Sequence, residues 1–509
     1  MAKFTNLETQ RPKQVMTTTD LSVIGHEGAY SWQLEPTAEL FSRLVTGFVE
    51  DKFYESASTQ LTEIRALVQA AIDADPADLV EMIHWCRAEG NMRSAPIAAA
   101  CEYANYKGPY ARTLVNRVCV RADEPAELLG YWLGMFGRPI PSSVKRGLSD
   151  AVVRLYTERN ALRWDSSRSG VRMGDVIELC HPKPKDEAQA ELFIWLIEQR
   201  HNRKLQTALT ETLPTIRRRS DLMSIPQGMR HKVTGDDLIL AGFSWESYSS
   251  YINGPMDATA WEKMIPSMGY MALLRNLRNF EEADISNETV NYVIAKLIDP
   301  QEIARSRQLP FRFWSAMKAV NTHLFSRTLE VAVEHVFDNV PVIHGNTLIL
   351  LDKSASMTFT PVSKMSDMFP AEIGSVFAAA LANSCVGYDL VGFATSSTRI
   401  DIGGRSIMKA IEIANTPINI GGGTDAWSAL ARSYSSKYDR VIVLTDMQFN
   451  TRGMPELDVP IYIWDLQGYG RVPVKVDDGN YMFTGISDKA FNMIRYVEDN
   501  ARGVKPWQS

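Results

Sequence analysis

Apolar residues recur at three- and four-residue spacing through the first two thirds of the chain, which predicts amphipathic helices. Clear examples are residues 61–72 (LTEIRALVQAAI), 125–136 (PAELLGYWLGMF) and 191–199 (ELFIWLIEQ). Proline and glycine interrupt this pattern at intervals of roughly 15–25 residues, which is typical of paired helices joined by short turns. We expect a solenoid of HEAT-like helix pairs, with a helical bundle as the structural alternative.

The pattern changes near Pro341, where short apolar runs rich in β-branched residues begin to alternate with helical stretches. The predicted strands lie in NTLILLDKSAS, DLVGFATSS, RVIVLTDMQ and PIYIWDLQG. This alternation predicts a doubly wound α/β domain, a parallel sheet with helices on both faces. We therefore predict three segments: a flexible N-terminus at 1–20, an α-helical domain at 21–340 and an α/β domain at 341–509.

Composition is that of an ordinary globular protein. The 509 residues are 45% hydrophobic and 22% charged, and a chain of this length is expected to form two or more domains. The net charge of −6 argues weakly against nucleic acid as a partner, although a local basic surface would be enough to bind it.

The five cysteines, Cys86, Cys101, Cys119, Cys180 and Cys385, are scattered and form no CxxC pair. We expect reduced core cysteines rather than a zinc site or a disulfide framework. The N-terminal sequence lacks the apolar core of a signal peptide, and no run approaches the roughly 18 apolar residues of a membrane span. These features predict a cytoplasmic protein with no membrane partner.

Oxygen-bearing side chains follow two predicted strands and precede one predicted helix. DKSAS, which contains Asp352, Ser354 and Ser356, follows the strand TLILL; Thr424 in GGGTD precedes the helix AWSALARSY; and Asp446 ends the strand RVIVL. Because such loops converge on one edge of an open α/β sheet, we expect two carboxylates and three hydroxyls to meet there.

Hard oxygen ligands of this kind favour a divalent metal, and Mg²⁺ above all. Few charged ligands would leave a coordination position open for an outside carboxylate or phosphate. The alternative is a vestigial sheet edge, at which the serines and aspartates act only as helix caps.

Cations cluster between residues 138 and 219 although the chain is acidic overall. They are Arg138, Lys145, Arg146, Arg154, Arg159, Arg163, Arg168, Arg172, Lys183, Lys185, Arg203, Lys204 and Arg217 to Arg219. Such a cluster can bind phosphate, or it can be a solvated helix face. His181, in ELCHPKPK, can be a structural residue at a helix end or can stack on a base.

Two resemblances bear on these alternatives. The D-x-S-x-S, Thr and Asp set resembles the metal-ion-dependent adhesion site (MIDAS) of von Willebrand factor A domains. Several segments resemble the TROVE module (telomerase, Ro, vault) of Ro ribonucleoproteins of the bacterial or phage type. These are NMRSAPIAAA, LLGYWLGMFGRPIPSSVKRGL, RNALRW, RMGDVIELCHPKP, MALLRNLRNF and LPFRFWSAM. A TROVE module followed by a von Willebrand factor A domain is the arrangement of Ro proteins.

The resemblance to Ro proteins implies a ring of HEAT-type helical repeats closed by the A domain, which would contact both the first and the last repeat. Ro proteins bind Y RNAs outside the ring and single-stranded ends of misfolded RNAs within it. Arg159 and His181 match family positions implicated in RNA contact. By the MIDAS resemblance, Ser354, Ser356 and Thr424 touch the metal directly, whereas Asp352 and Asp446 bind directly or through water.

We therefore expect a non-enzymatic protein that binds Y-like RNA and structured or misfolded RNA beside a partner 3′–5′ exonuclease. Its expected RNA contacts are Lys145, Arg146, Arg154, Arg159, Arg172, His181 and Lys183. The alternative is a MIDAS-dependent protein-interaction scaffold that binds no RNA. A metal-dependent phosphoryl hydrolase is disfavoured, because no general base or nucleophile accompanies the metal ligands.

Overall fold

The computed structural model describes residues 36–37, 40–41, 44, 56–90, 92–202, 211–306, 308, 310–336, 340–359, 368–446, 455, 457–466, 480–484, 490–502 and 504–508. The predicted flexible segment 1–20, Arg203 and Lys204 lie outside these residues. The chain divides into two compact units. The first comprises the described residues within 1–226, 240–243 and 500–509, and the second those within 227–239 and 244–499.

The first unit is helical in its described part. Its helices are α1 (Ser56–Ala74), α2 (Pro76–Ala88), α3 (Ser94–Asn105), α4 (Ala111–Val118), α5 (Glu124–Met135), α6 (Ser142–Leu155), α7 (Glu158–Trp164), α8 (Met173–Cys180), α9 (Glu187–Arg200) and α10 (Pro214–Ser224). The three amphipathic runs quoted above lie in α1, α5 and α9, as predicted. The start of α2 shows how local sequence determines where a helix begins. The side chain of Asp75 accepts hydrogen bonds from two backbone N–H groups of the first turn, and Pro76 is the first residue of the helix.

Four of the ion pairs between helices of the first unit span a nearly constant sequence offset. Arg65–Glu102 and Arg87–Glu124 join residues 37 apart, Arg117–Glu81 joins residues 36 apart, and Arg112–Asp150 joins residues 38 apart. Such an offset is typical of stacked helical repeats, in which equivalent positions of neighbouring repeats meet. The first unit is therefore a helical-repeat structure, and its repeat can be recognised in these contacts although no strict sequence repeat is visible.

The second unit combines further helices with the α/β part. The helices before the sheet are α11 (Gly235–Leu240, whose last residue falls in the first unit), α12 (Trp245–Ile252), α13 (Ala258–Met264), α14 (Tyr270–Ala283), α15 (Asn287–Ile298), α16 (Pro300–Ser306), α17 (Pro310–Ala319) and α18 (His323–Val336). The change from helix to sheet thus falls inside this compact unit, near the predicted change at 341. The domain boundary at 340/341 itself stays a prediction.

A six-stranded sheet forms the centre of the α/β part. Its elements are β1 (Ile343–Asp352), α19 (Ser356–Phe359), α20 (Pro370–Ser384), β2 (Cys385–Phe393), β3 (Ser397–Arg399), α21 (Ile407–Asn415), α22 (Ala426–Ser433), β4 (Arg440–Thr445), β5 (Ile461–Asp465), β6 (Asn480–Thr484) and α23 (Ala490–Ala501). The strand order is β3-β2-β1-β4-β5-β6, and all pairs are parallel except β2 with β3. This is the doubly wound order, with β1 at its centre.

Both faces of the sheet are covered. Leu348 and Leu350 of β1 share a buried apolar cluster with Trp427 and Leu430 of α22. On the other face α20 packs so closely that a Cβ atom on Gly374 would lie 2.9 Å from the side chain of Leu351. Side chains alternate between the two faces of a strand, so successive leucines of β1 serve the two layers in turn. The predicted α/β class is confirmed.

Candidate functional site

Two aspartates lie at the carboxyl edge of the sheet, where the strand order reverses between β1 and β4. Asp352 is the last residue of β1 and Asp446 follows β4, and these strands pair in parallel with Leu351 opposite Leu444. Both aspartates have no exposed surface. Ligands of open α/β sheets bind at this kind of switch point. The topology therefore places both predicted carboxylates at one candidate site.

Asp352 is held by hydrogen bonds to both of its carboxylate oxygens. The backbone N–H of Ser354 donates to Oδ1 at 2.8 Å, and the Thr445 hydroxyl donates to Oδ2 at 2.6 Å. The hydroxyls of Ser354 and Ser356 lie 3.0 Å apart. The loop after β1 thus brings three of the five predicted ligands together beneath the surface.

The loop that carries Thr424 lies beside this one. The Ala355 N–H donates to the Gly422 carbonyl at 3.3 Å, which links the two loops directly. On the other side of Thr424, the Asp425 N–H donates to the Ala394 carbonyl at 2.9 Å, and the Asp425 carboxylate caps α22. Thr424 is half-buried between these two anchored positions. The structure therefore places the fourth predicted ligand on the loop next to the serines.

Glycine is required at the start of this loop. Gly421 has φ +88°, which L side chains rarely adopt, and a Cβ atom there would lie 2.6 Å from the Cβ of Thr395. The Thr395 hydroxyl in turn accepts the Gly423 N–H at 2.9 Å. The three glycines before Thr424 thus allow a close approach to the β2–β3 turn.

The electrostatics of the edge favour a bound cation. Burial raises the pKa of Asp352 to about 6, hydrogen bonds from Ser354 and Thr445 act against that rise, and the charge of nearby Asp446 adds to it. A divalent cation would offset the cost of burying two carboxylates so close together. Within the described part of the chain no three His, Cys, Asp or Glu side chains form a metal-binding group. The donor set is two carboxylates with hydroxyls, which fits Mg²⁺.

Thr445 was not singled out in the sequence, although its hydroxyl bonds to a predicted ligand. The sequence feature that could have identified Thr445 is its position immediately before Asp446, at the end of a wholly buried strand. A buried threonine in such a strand needs a hydrogen-bond partner, and Asp352 on the neighbouring strand supplies one.

The predicted RNA-binding residues fall into two groups in the first unit. Lys145 and Arg146 lie on α6, whose Ser149 hydroxyl donates to the Cys180 carbonyl at the end of α8 at 3.0 Å, and His181 and Lys183 follow that helix end. Burial raises the pKa of the Cys180 thiol, and the positive charge of Lys145 acts against that rise. Arg146, His181 and Lys183 are exposed. We call these four residues the α8 basic cluster.

His181 occupies the C-cap of α8 with φ 54° and ψ 53°, and its N–H donates to the Ile177 carbonyl. This left-handed conformation is unusual for a residue other than glycine, asparagine or aspartate. The residue thus has the predicted helix-end position, while its imidazole remains exposed.

The second group makes contacts within the protein. The guanidinium of Arg154 donates to the Asn116 and Cys119 carbonyls at the end of α4, at 2.8 and 2.7 Å. Arg172 pairs with buried Asp165. Arg159 is exposed. Burial raises the pKa of Glu158, and the positive charge of Arg159 acts against that rise. The contacts of Arg154 and Arg172 favour structural roles, and their predicted contact with RNA stays a prediction.

All five cysteines are buried and unbonded to one another, as predicted. No helix among the described residues is long and apolar enough to cross a membrane.

The fold and site define a class of protein in which helical repeats are joined to a doubly wound α/β domain with an oxygen-rich loop cluster at the sheet edge. Residues 179–357 match the TROVE domain family. The match extends from the end of α8 into the DKSAS loop, and so includes His181, Lys183 and Asp352.

A solved structure shares this fold. The crystal structure of the Deinococcus radiodurans RO (RSR) protein superposes with a TM-score of 0.69 at 16% sequence identity, over 92% of this chain and 100% of that chain. No curated protein sequence matches the chain. The predicted resemblance to Ro proteins is therefore confirmed for the fold and for a TROVE domain at residues 179–357.

Proposed function

We propose that this chain is the protein component of a ribonucleoprotein that binds Y-like non-coding RNA and the single-stranded ends of structured or misfolded RNA. Its work would be to assist RNA quality control beside a 3′–5′ exonuclease. The observation that carries the proposal is the TROVE match over residues 179–357, in a chain with the fold of a Ro protein. A cytoplasmic, non-enzymatic role is part of the same proposal.

The α8 basic cluster supplies chemistry that RNA binding needs. Arg146 and Lys183 present exposed charges that can neutralise phosphates, while exposed His181 can meet an unstacked base. The left-handed backbone of His181 at the helix end sets the direction in which its side chain leaves the chain. We therefore assign the first contact with RNA to this cluster, rather than to Arg154 or Arg172.

The sheet edge is the proposed Mg²⁺ site of a von Willebrand factor A-like domain. Ser354, Ser356 and Thr424 would hold the metal through their hydroxyls, and Asp352 and Asp446 directly or through water. The strand order and the paired buried carboxylates support this assignment. A bound ion would present a coordination position to a carboxylate or phosphate of a partner. A protein-interaction scaffold without RNA binding would use this site alone.

The test replaces exposed groups of the α8 basic cluster together: Arg146→Gln, His181→Asn and Lys183→Gln. Asparagine tolerates the left-handed backbone, so this change removes the imidazole and keeps the cap. We expect RNA affinity at moderate salt to fall at least about ten-fold, and the salt dependence to flatten by about 0.7 per lost cation. Fluorescence anisotropy with a hairpin bearing a single-stranded 3′ tail measures both.

The matched control carries Arg278→Gln and Arg305→Gln, two exposed arginines of the second unit that pair with carboxylates one turn away on their own helices. It removes a similar charge without touching the cluster. An equal loss of affinity in the control and cluster variants would contradict the assignment of the site.

A further inference from the structure

Two guanidinium groups lie over one indole ring at the end of α7. The Cζ of Arg121 is 4.0 Å from the ring centroid of Trp164, and the Cζ of Arg163 is 4.9 Å from it. Trp164 is half-buried and Arg163 is exposed. A flat aromatic ring partly open to solvent is thus combined with two cations. We call these three residues the Trp164 platform.

Arg121 is fixed in place before any ligand arrives. Its Nε and Nη2 donate to the two carboxylate oxygens of Asp123 at 3.1 and 2.7 Å. Arg93 donates to the same carboxylate at 2.6 Å and so anchors it from another side. Because its edge is engaged by Asp123, Arg121 presents its flat face to the indole. A ligand would not have to bear the entropic cost of ordering this side chain.

The surrounding carboxylates are already paired. Asp165, the residue after Trp164, is bound to Arg172 and accepts the Met173 N–H at 3.0 Å. The cations in these contacts are Arg93, Arg121, Arg163 and Arg172. The carboxylates are Asp123, Asp165 and Glu127, and the last of these pairs with Arg93. These contacts thus contain four cations and three carboxylates. Arg93, Arg121 and Arg172 pair with the carboxylates, so the net positive charge of the group comes from exposed Arg163.

We propose that the Trp164 platform binds one unpaired nucleobase of a single-stranded RNA segment. The base takes the place of the exposed Arg163 guanidinium over the indole ring, and Arg163 turns to the adjoining phosphate. This inference rests on the proposed function and adds a second contact to it. A nucleobase is favoured because indole and guanidinium both stack on flat π systems, while the phosphate beside it matches the exposed cation. RNA in a duplex has no unstacked base to offer, so the platform selects single strands.

The experiment compares two hairpins that differ only in their 3′ tails, one of adenosines and one of abasic residues. Wild-type protein should bind the adenosine tail more tightly. Trp164→Leu should reduce that preference roughly ten-fold, the effect expected for one lost base–aromatic stack, while affinity for the abasic tail stays unchanged. Trp164→Phe should keep most of the preference, because phenylalanine still stacks. Arg163→Gln should weaken both tails equally.

The matched control is Trp245→Leu, since Trp245 is also half-buried but packs on Trp261 at 5.5 Å. Melting curves of each variant show whether Trp164 is merely structural. A full adenosine preference in Trp164→Leu, or an equal loss for both tails with a lowered Tm, would overturn the platform. Absence of wild-type binding to either hairpin would instead overturn the proposed function itself. If Trp164→Leu does not fold, Trp164→Phe and Arg163→Gln still decide the question.

Discussion

At the scale of single residues, the hydroxyl of Thr445 links β4 to the carboxylate that ends β1, because it donates to Asp352 at 2.6 Å. Asp352, Ser354 and Ser356 could be placed because two strands and a helix were recognisable around them. The hydrogen bond from Thr445 to Asp352 could not be predicted, because it depends on the register between β1 and β4, and no local sequence pattern specifies that register. The same holds for Arg154, whose partners lie on another repeat.

Asp352 gives a pH-dependent prediction in the absence of metal. Burial raises its pKa to about 6, so the folded protein binds a proton between pH about 4 and about 6 that the unfolded chain has released. The contribution of Asp352 to the free energy of unfolding therefore falls by about 2–3 kcal/mol as pH rises through that range. Asp352→Asn should remove this dependence in urea unfolding experiments with chelator present.

Added Mg²⁺ should reverse the effect. Above pH 6 it should stabilise wild-type protein and leave Asp352→Asn unchanged, because binding needs the ionised carboxylate. Asp401→Asn, which alters an exposed carboxylate of the same unit, should respond like wild type. If Mg²⁺ stabilises wild type and Asp352→Asn equally, the metal does not bind at this edge.

At the scale of elements, the helical character of the first two thirds and four of the strands could be predicted, whereas contacts between distant elements could not. The quoted amphipathic runs became α1, α5 and α9, and the four apolar runs supplied β1, β2, β4 and β5. The end of the chain gave no such signal. Trp507 donates to Asp78 at 2.7 Å across 429 residues, and its ring packs on Phe41 at 4.8 Å. Only the fold brings these residues together.

This C-terminal contact yields a stability prediction. Asp78 accepts hydrogen bonds from Lys505, Trp507 and Gln508, all at 2.7 Å. Burial raises its pKa, but those three bonds outweigh burial and hold it below the ordinary value of 3.8. The stabilisation is thus present above pH about 4 and is lost as pH falls below that value.

Asp78→Asn should cost about 1–3 kcal/mol at neutral pH and cost less in acid, since it removes a charge-assisted acceptor. Urea unfolding between pH 3 and 7 measures this. The control is Asp150→Asn, which breaks an exposed pair with Arg112 and should cost less, because exposed ion pairs contribute little to stability. Equal costs for the two variants at pH 7 would mean that the C-terminal segment adds little stability.

At the scale of the whole molecule, the α/β fold and the helical repeats followed from hydrophobic periodicity alone. The fold is shared with a Ro protein at 16% sequence identity over 92% of the chain, so two chains that differ at most positions have the same fold. The proposed RNA-binding residues could not be derived in that way, because a basic helix face has the same sequence pattern whether it binds phosphate or is only solvated. Closure of the repeats into a ring by the A domain stays a prediction.

The most direct test of the central claim is the affinity of the purified, nuclease-treated chain for an RNA hairpin with a single-stranded 3′ tail, measured by anisotropy over a range of salt concentrations. The proposed function predicts that the chain binds the tailed hairpin more tightly than a blunt one. The logarithm of its affinity should fall linearly with the logarithm of the salt concentration, as cations on the protein displace counterions. No binding of the tailed hairpin at low salt would contradict RNA binding and leave the protein-interaction scaffold as the better account.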